Sequence, residues 1–163
     1  MTSALLLLTT RRTLLVGLFL VPTAVVGAPP CPTPRVLFVC PAGTVKSAIA
    51  REQLKHSAAA RGQAMQVQSR GVQPADHLTS TLAARLRADG IDPRAEPLRA
   101  LTPSDIAQAD VVVAFEEAAA APGMAKARVW EIPSWNADYA GARAAMLPRI
   151  DALLDELAHR PCR

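Results

Sequence analysis

The sequence predicts an α/β fold: three layers, with a four-stranded parallel sheet and helices on both faces. Half of the 163 residues are hydrophobic but only 4% are aromatic, and Ala is abundant, a composition that suits helices packed on a sheet. The runs RVLFV at 35–39 and VVVAF at 111–115 are continuously apolar, as in strands covered on both faces. These runs alternate with segments of helical spacing, an order that implies parallel strands joined by right-handed crossovers. A chain of this length supports one well-buried core.

The first segment lies outside that pattern. Residues 1–28 contain no Asp or Glu, place Arg11 and Arg12 before the apolar run 13–26, and end on Gly27 and Ala28. This is the layout of an export signal. The run is shorter than the roughly 20 apolar residues of a membrane span, and Pro22 interrupts it. Arg11 and Arg12 followed by Thr13 also resemble a twin-arginine signal. Pro29 makes the bond after Ala28 a poor peptidase site. The expectation is therefore an exported domain in a bacterial periplasm, tethered to the membrane only if the leader stays uncleaved. Residues 29–34 form a Pro-rich linker, and 35–163 form the domain.

Within the domain, 35–39 is the first strand and 45–61 a helix. Residues 64–69 alternate as a more exposed strand would, and Leu78, Leu82 and Leu86 recur at helical spacing until Gly90. Ser104 caps a short helix through Ala109, and strands follow at 111–115 and 128–132. The Ala-rich stretch 116–121 reads as helical and surface-facing. A last helix runs over 138–159 with Met146, Ile150, Leu153, Leu154 and Leu157 in one stripe and a kink at Pro148.

Chemistry concentrates where the first strand ends. In sheets of this type ligands bind beyond the carboxyl ends of the strands, and Cys40 sits there. Pro41, Ala42, Gly43, Thr44 and Val45 then form a loop of mostly small residues that lets backbone N–H groups turn around an anion, and the following helix adds its N-terminus. Lys46 stands where a cation would close the ring, and Ser47 offers a hydroxyl to a thiolate, the nucleophilic form of cysteine.

The segment VLFVCPAGTVKSAIAREQL resembles the opening of the low molecular weight protein tyrosine phosphatases and their arsenate reductase relatives, whose usual pattern is VLFVCxGNxCRSxxAE. The similarity continues through SRGVQPAD, LRADGID and RALTPSDIAQADVVVAF, and covers nearly all of 35–157. It implies the phosphotyrosine protein phosphatase I-like fold, a cysteinyl-phosphate at Cys40, and a phosphorylated protein or small phosphate oxyanion as partner. No cofactor is implied. The pattern is degenerate, with Lys46 in place of the phosphate-clamping Arg, Val45 in place of a second loop Cys, and Ser134 at the position of the Asp that protonates the leaving group. Lys is a hydrated point charge where Arg makes two parallel bonds, and serine cannot supply that proton. Asp138 is the candidate replacement acid, with capping of the last helix as its alternative role. Trp135 and Tyr139 are candidate walls for an aromatic phosphate, whereas Trp130 reads as core.

Three cysteines in an exported domain leave one over. Cys40 is that one, and Cys31 and Cys162 are expected to pair at the far end of the sheet. His56, His77 and His159 share no ligand spacing, so no metal site is expected. The formal charge of +4, from 18 basic and 14 acidic residues, falls by two without Arg11 and Arg12, and the basic residues are scattered among acids. That pattern excludes a nucleic-acid stripe. Three readings follow: a phosphate monoester hydrolase of reduced activity, a non-catalytic oxyanion or phospho-partner binding module, and an arsenate reductase-like enzyme.

Overall fold

The computed structural model describes residues 32–161. The leader 1–28 and both members of the Cys31 to Cys162 pairing lie outside the described residues. Strands β1 (Arg35–Cys40), β2 (Gln66–Gly71), β3 (Val111–Phe115) and β4 (Arg128–Trp130) form one sheet in the order β2-β1-β3-β4. Every pairing is parallel, with Cys40 opposite Gly71 and Val39 opposite Ala114. The helices are α1 (Lys46–Ala60), α2 (Ser80–Ala88), α3 (Pro103–Gln108) and α4 (Tyr139–Ala158), and a single 3-10 turn spans Glu116–Ala120.

The lack of alternation in β1 has its reason in the layers. Val36, Phe38 and Cys40 join a core with Ile49 and Leu54 of α1, Leu82 and Leu86 of α2, and Ile150 and Leu154 of α4. Leu37 and Val39 point the other way, against Ala118, Met124 and, on α3, Ile106. Phe38 is fully buried among Phe115 and Trp130, with ring centroids 6.2 and 5.7 Å away. The expected four-stranded, three-layer architecture is thus the one observed. β1 is its central strand, and because β2 and β3 flank it on opposite sides, the topological switch falls at its carboxyl end, where Cys40 lies.

Several boundaries differ from the sequence expectation. α3 is capped by Thr102 instead of Ser104: the Thr102 hydroxyl accepts from the Asp105 amide, and the Asp105 carboxylate accepts from the Thr102 amide. This capping box starts with Pro at the first helical position and outcompetes a serine two residues on. Burial alone would raise the Asp105 carboxyl, but hydrogen bonds from Arg70 and Thr102 hold it below the usual range. β2 begins two residues later than its alternation suggested, and the fourth strand stops at Trp130. α4 runs through Pro148 as one helix, and Arg149 Nη1 donates to the Ala145 carbonyl at 2.8 Å beside the interruption.

Arg51 is 2% exposed, yet its guanidinium donates to Ser69 Oγ at 2.7 Å and the Pro93 carbonyl at 3.0 Å. A buried cation with those acceptors fixes the segment after α2 to α1 and β2. Among the described residues no helix is long and apolar enough to cross a membrane, and no group of His, Cys, Asp and Glu side chains is placed to hold a metal ion.

Trp135 and Tyr139, expected as pocket walls, serve the contact between α2 and α4 instead. Trp135 is 4% exposed and meets the Tyr139 ring edge-on at 5.5 Å. The Tyr139 hydroxyl donates to Asp89 just beyond α2, and Arg85 lies 5.8 Å over its ring. Burial, followed by the Asp89 carboxylate, pushes the Tyr139 hydroxyl up to about 12. Its stabilising effect is complete below the ordinary value of 10.0 and is lost as pH rises through the folded value. Tyr139 is the single tyrosine of the chain, so ultraviolet absorbance reads it directly. The folded protein is expected to ionise near pH 12 and the urea-unfolded protein near 10; equal midpoints would refute the Asp89 contact.

Candidate functional site

Cys40 closes β1 at 4% exposure, and its sulfur has two polar neighbours. Ser47 Oγ lies 3.1 Å away, and the Gly43 amide donates to Sγ at 3.1 Å. Ser47, fully buried in the first turn of α1, also approaches the Arg70 carbonyl at 3.5 Å. The loop returns its own backbone to the sulfur because its last and first residues belong to rigid elements. β1 ends at Cys40 and α1 begins at Lys46.

The orientation of the loop follows from its other edge. The carbonyls of Cys40, Pro41 and Ala42 accept hydrogen bonds from the amides of Val72, Gln73 and Ala75 at 3.2, 2.9 and 3.0 Å. In a planar trans peptide the N–H of one residue points opposite to the carbonyl before it. Outward carbonyls at 40, 41 and 42 therefore turn the nitrogens of 41, 42 and 43 toward the sulfur side. Gly43 shows the result in its bond to Sγ. At position 41 the inward nitrogen belongs to proline, so the cradle lacks the donor that any other residue there would supply. Among the described residues, no protein group accepts the amides of Ala42, Thr44, Val45, Lys46 or Ser47. These are free donors at a helix N-terminus around a sulfur, which is an anion-binding arrangement.

Two glycines make the close approach possible. Gly43 has φ +79, and a Cβ there would stand 2.7 Å from both the Gly71 nitrogen and Leu98 Cδ1. A Cβ at Gly71 would stand 2.8 Å from the Ala42 carbonyl. The resembled pattern has Asn at position 43, the other residue that enters the left-handed region readily. Thr44 is turned away from the sulfur: its hydroxyl donates to the Ala75 carbonyl at 2.9 Å and accepts from the His77 amide at 3.2 Å. Beside it the Leu78 amide and Arg94 hold the Asp76 carboxyl below its usual range, securing that turn.

Lys46 is not free to close an anion ring. Its ammonium pairs with Glu116 and donates to the Ile132 carbonyl at 2.6 Å. Glu116 had been expected on a solvent-facing helix, but it lies one residue past β3, beside the end of β1, and its side chain is 34% exposed. Among the described residues it is the only non-glycine with positive φ, at +53, a conformation that costs on the order of 1–3 kcal/mol. The rest of that expectation also fails in part, since Ala118 is buried against β1. The clue available in the sequence was position: an acid directly after a buried strand, at the same sheet end as the cysteine.

Asp138 caps α4, its carboxylate accepting from the Gly141 amide at 2.8 Å. Ser134 accepts at its carbonyl from the Asp138 amide at 2.7 Å, in the turn between β4 and α4. Next to the loop, Pro41 shares with Val72, Gln73, Glu117 and Ala121 an open groove of about 270 Å³. A larger cavity of about 500 Å³ lies at the opposite end of the sheet, between Pro34, Met65 and Leu157, away from this chemistry.

A Gly43→Ala substitution is expected to destabilise the fold by at least about 2 kcal/mol, combining left-handed strain with the contacts at Gly71. Urea unfolding checks this, and a variant as stable as the parent would mean the loop is not built as described.

The profile of the low molecular weight phosphotyrosine protein phosphatases matches residues 35–145. No curated protein sequence matches the chain. Among solved structures, a thioredoxin-dependent arsenate reductase of Corynebacterium glutamicum is similar with a TM-score of 0.60 at 24% identity, over 78% of this chain and 62% of that one, less than two thirds of its length. An arginine phosphatase of Geobacillus stearothermophilus gives 0.61 at 22%, over 79% and 99% of the two chains. A low molecular weight protein tyrosine phosphatase of Streptococcus pyogenes gives 0.62 at 17%, over 77% and 93%. Such identities establish the fold, and the profile match carries the rest: the chain belongs to the low molecular weight phosphotyrosine protein phosphatase family.

Proposed function

We propose that this protein binds a phosphate-like oxyanion in the loop from Cys40 to Ser47 and hydrolyses phosphate monoesters slowly through a cysteinyl-phosphate at Cys40. The observation that carries this reading is the sulfur itself, held between the Ser47 hydroxyl and the Gly43 amide at 3.1 Å each. A cysteine sulfur placed there is the nucleophile that attacks phosphorus. In the first step the S–P bond forms and the P–O bond to the leaving group breaks, while the inward amides take up charge on the phosphoryl oxygens. The leaving oxygen takes its proton from water, since Ser134 has none to give at neutral pH. Water then attacks phosphorus, the S–P bond breaks, and inorganic phosphate and the thiolate are released. The groove beside Pro41 accommodates the organic part of the substrate.

Low activity follows from chemistry that is missing. Lys46 replaces a bidentate cation and is engaged by Glu116, and such a contact is worth about 100 to 1000-fold. A positioned acid is worth roughly 100 to 10,000-fold. Aryl phosphates, whose leaving groups need least protonation, are the substrates of choice. The engagement of Lys46 also favours a second reading, an oxyanion or phospho-partner binding module without turnover. Arsenate reduction would additionally need a resolving thiol, and Cys40 is the free cysteine among the described residues.

The chain should release phosphate from an aryl phosphate and the Cys40→Ser form should not. Equal rates would leave the binding module standing and remove the enzyme. Lys46→Arg combined with Ser134→Asp should raise the rate by about 100-fold or more. We also propose that residues 1–28 direct export, from their lack of acids and the Arg11 and Arg12 pair. Cell fractionation should find the full chain outside the cytoplasm; finding it only in the cytoplasm would exclude export.

A further inference from the structure

We propose that Glu116 is a built-in competitor for the oxyanion: its carboxylate holds Lys46 while the cradle is empty, and an entering anion must displace it. This deepens the reading above, because it assumes that the loop takes a phosphate-like anion. Two independent observations meet on the residue. Lys46, the sole charged side chain in the loop from Cys40 to Ser47, gives its ammonium to Glu116 and to the Ile132 carbonyl. Glu116 reaches it from a backbone at φ +53, the one such non-glycine among the described residues. Strain of this kind persists where the surroundings over-determine it, and the ion pair is one of the contacts that hold Glu116 there.

Competition is the physical consequence. The pair is partly buried, with side-chain exposures of 15% for Lys46 and 34% for Glu116, so the two charges are less screened than on an open surface. A phosphate dianion approaching the free amides meets a carboxylate already paired with the only loop cation. It gains the ammonium only when Glu116 leaves.

The test measures inorganic phosphate binding to the full chain by calorimetry. Glu116→Gln should bind about 10-fold more tightly, a change of about 1.4 kcal/mol, and the gain should disappear in the Lys46→Met, Glu116→Gln double variant. Glu116→Gly should behave like Glu116→Gln, and glycine tolerates the backbone conformation whatever happens to the ion pair. Unchanged affinity in both single variants, with the parent binding phosphate, would overturn the proposal. So would a gain that survives Lys46→Met, since that would be general charge repulsion. Absence of phosphate binding in every variant would sink the oxyanion reading itself and this inference with it.

Discussion

Three backbone hydrogen bonds decide what this site can do. The carbonyls of Cys40, Pro41 and Ala42 are taken by the amides that follow β2, and peptide planarity turns the opposite edge of the loop toward the sulfur. Everything else at the site depends on that orientation. It aims Gly43 at Sγ, leaves the amides before α1 without protein acceptors, and makes Pro41 a missing donor. It also demands that the two backbones touch, which is why Gly43 and Gly71 face one another without side chains. The cradle is thus a property of the β1 to β2 junction more than of the loop alone.

Charge is distributed less favourably than backbone. An anion site built from amides needs a cation to complete it, and the cation present has been drawn to a carboxylate at the end of β3 and a carbonyl after β4. Lys46 thereby ties together three strand ends. The same contact explains why a lysine differs from an arginine here: its one ammonium is a point donor that a single carboxylate can neutralise, whereas a planar fork retains further donors. Family membership implies a phosphate-binding loop, and Lys46 and Glu116 set the charge beside it.

Much of the fold was legible because burial on both faces writes itself as unbroken apolar runs. VLFV in β1 and VVVAF in β3 could only be central strands once helical segments lay between them. Less legible were the ends. Thr102 prevailed over Ser104 because the capping box involves Asp105 and Pro103 together, and the 116–120 stretch turns helically as expected but buries Ala118 against β1. Trp135 and Tyr139 lay in the right segment for a pocket, yet their surroundings, Asp89 and Arg85 with the packed core, are distant in sequence.

By itself the sequence determined the α/β class, the position of Cys40 at a strand end, and the company of Ser47, because each follows from local pattern and short spacing. Only the tertiary structure decided which way the loop amides point, since the groups that take its carbonyls lie some 30 residues away. It alone decided that Lys46 meets Glu116, 70 residues on. Spacing along a chain says nothing of such partners. They are chosen when parallel strands bring their carboxyl ends to one edge of the sheet, and there charge and backbone polarity settle among whatever residues arrive.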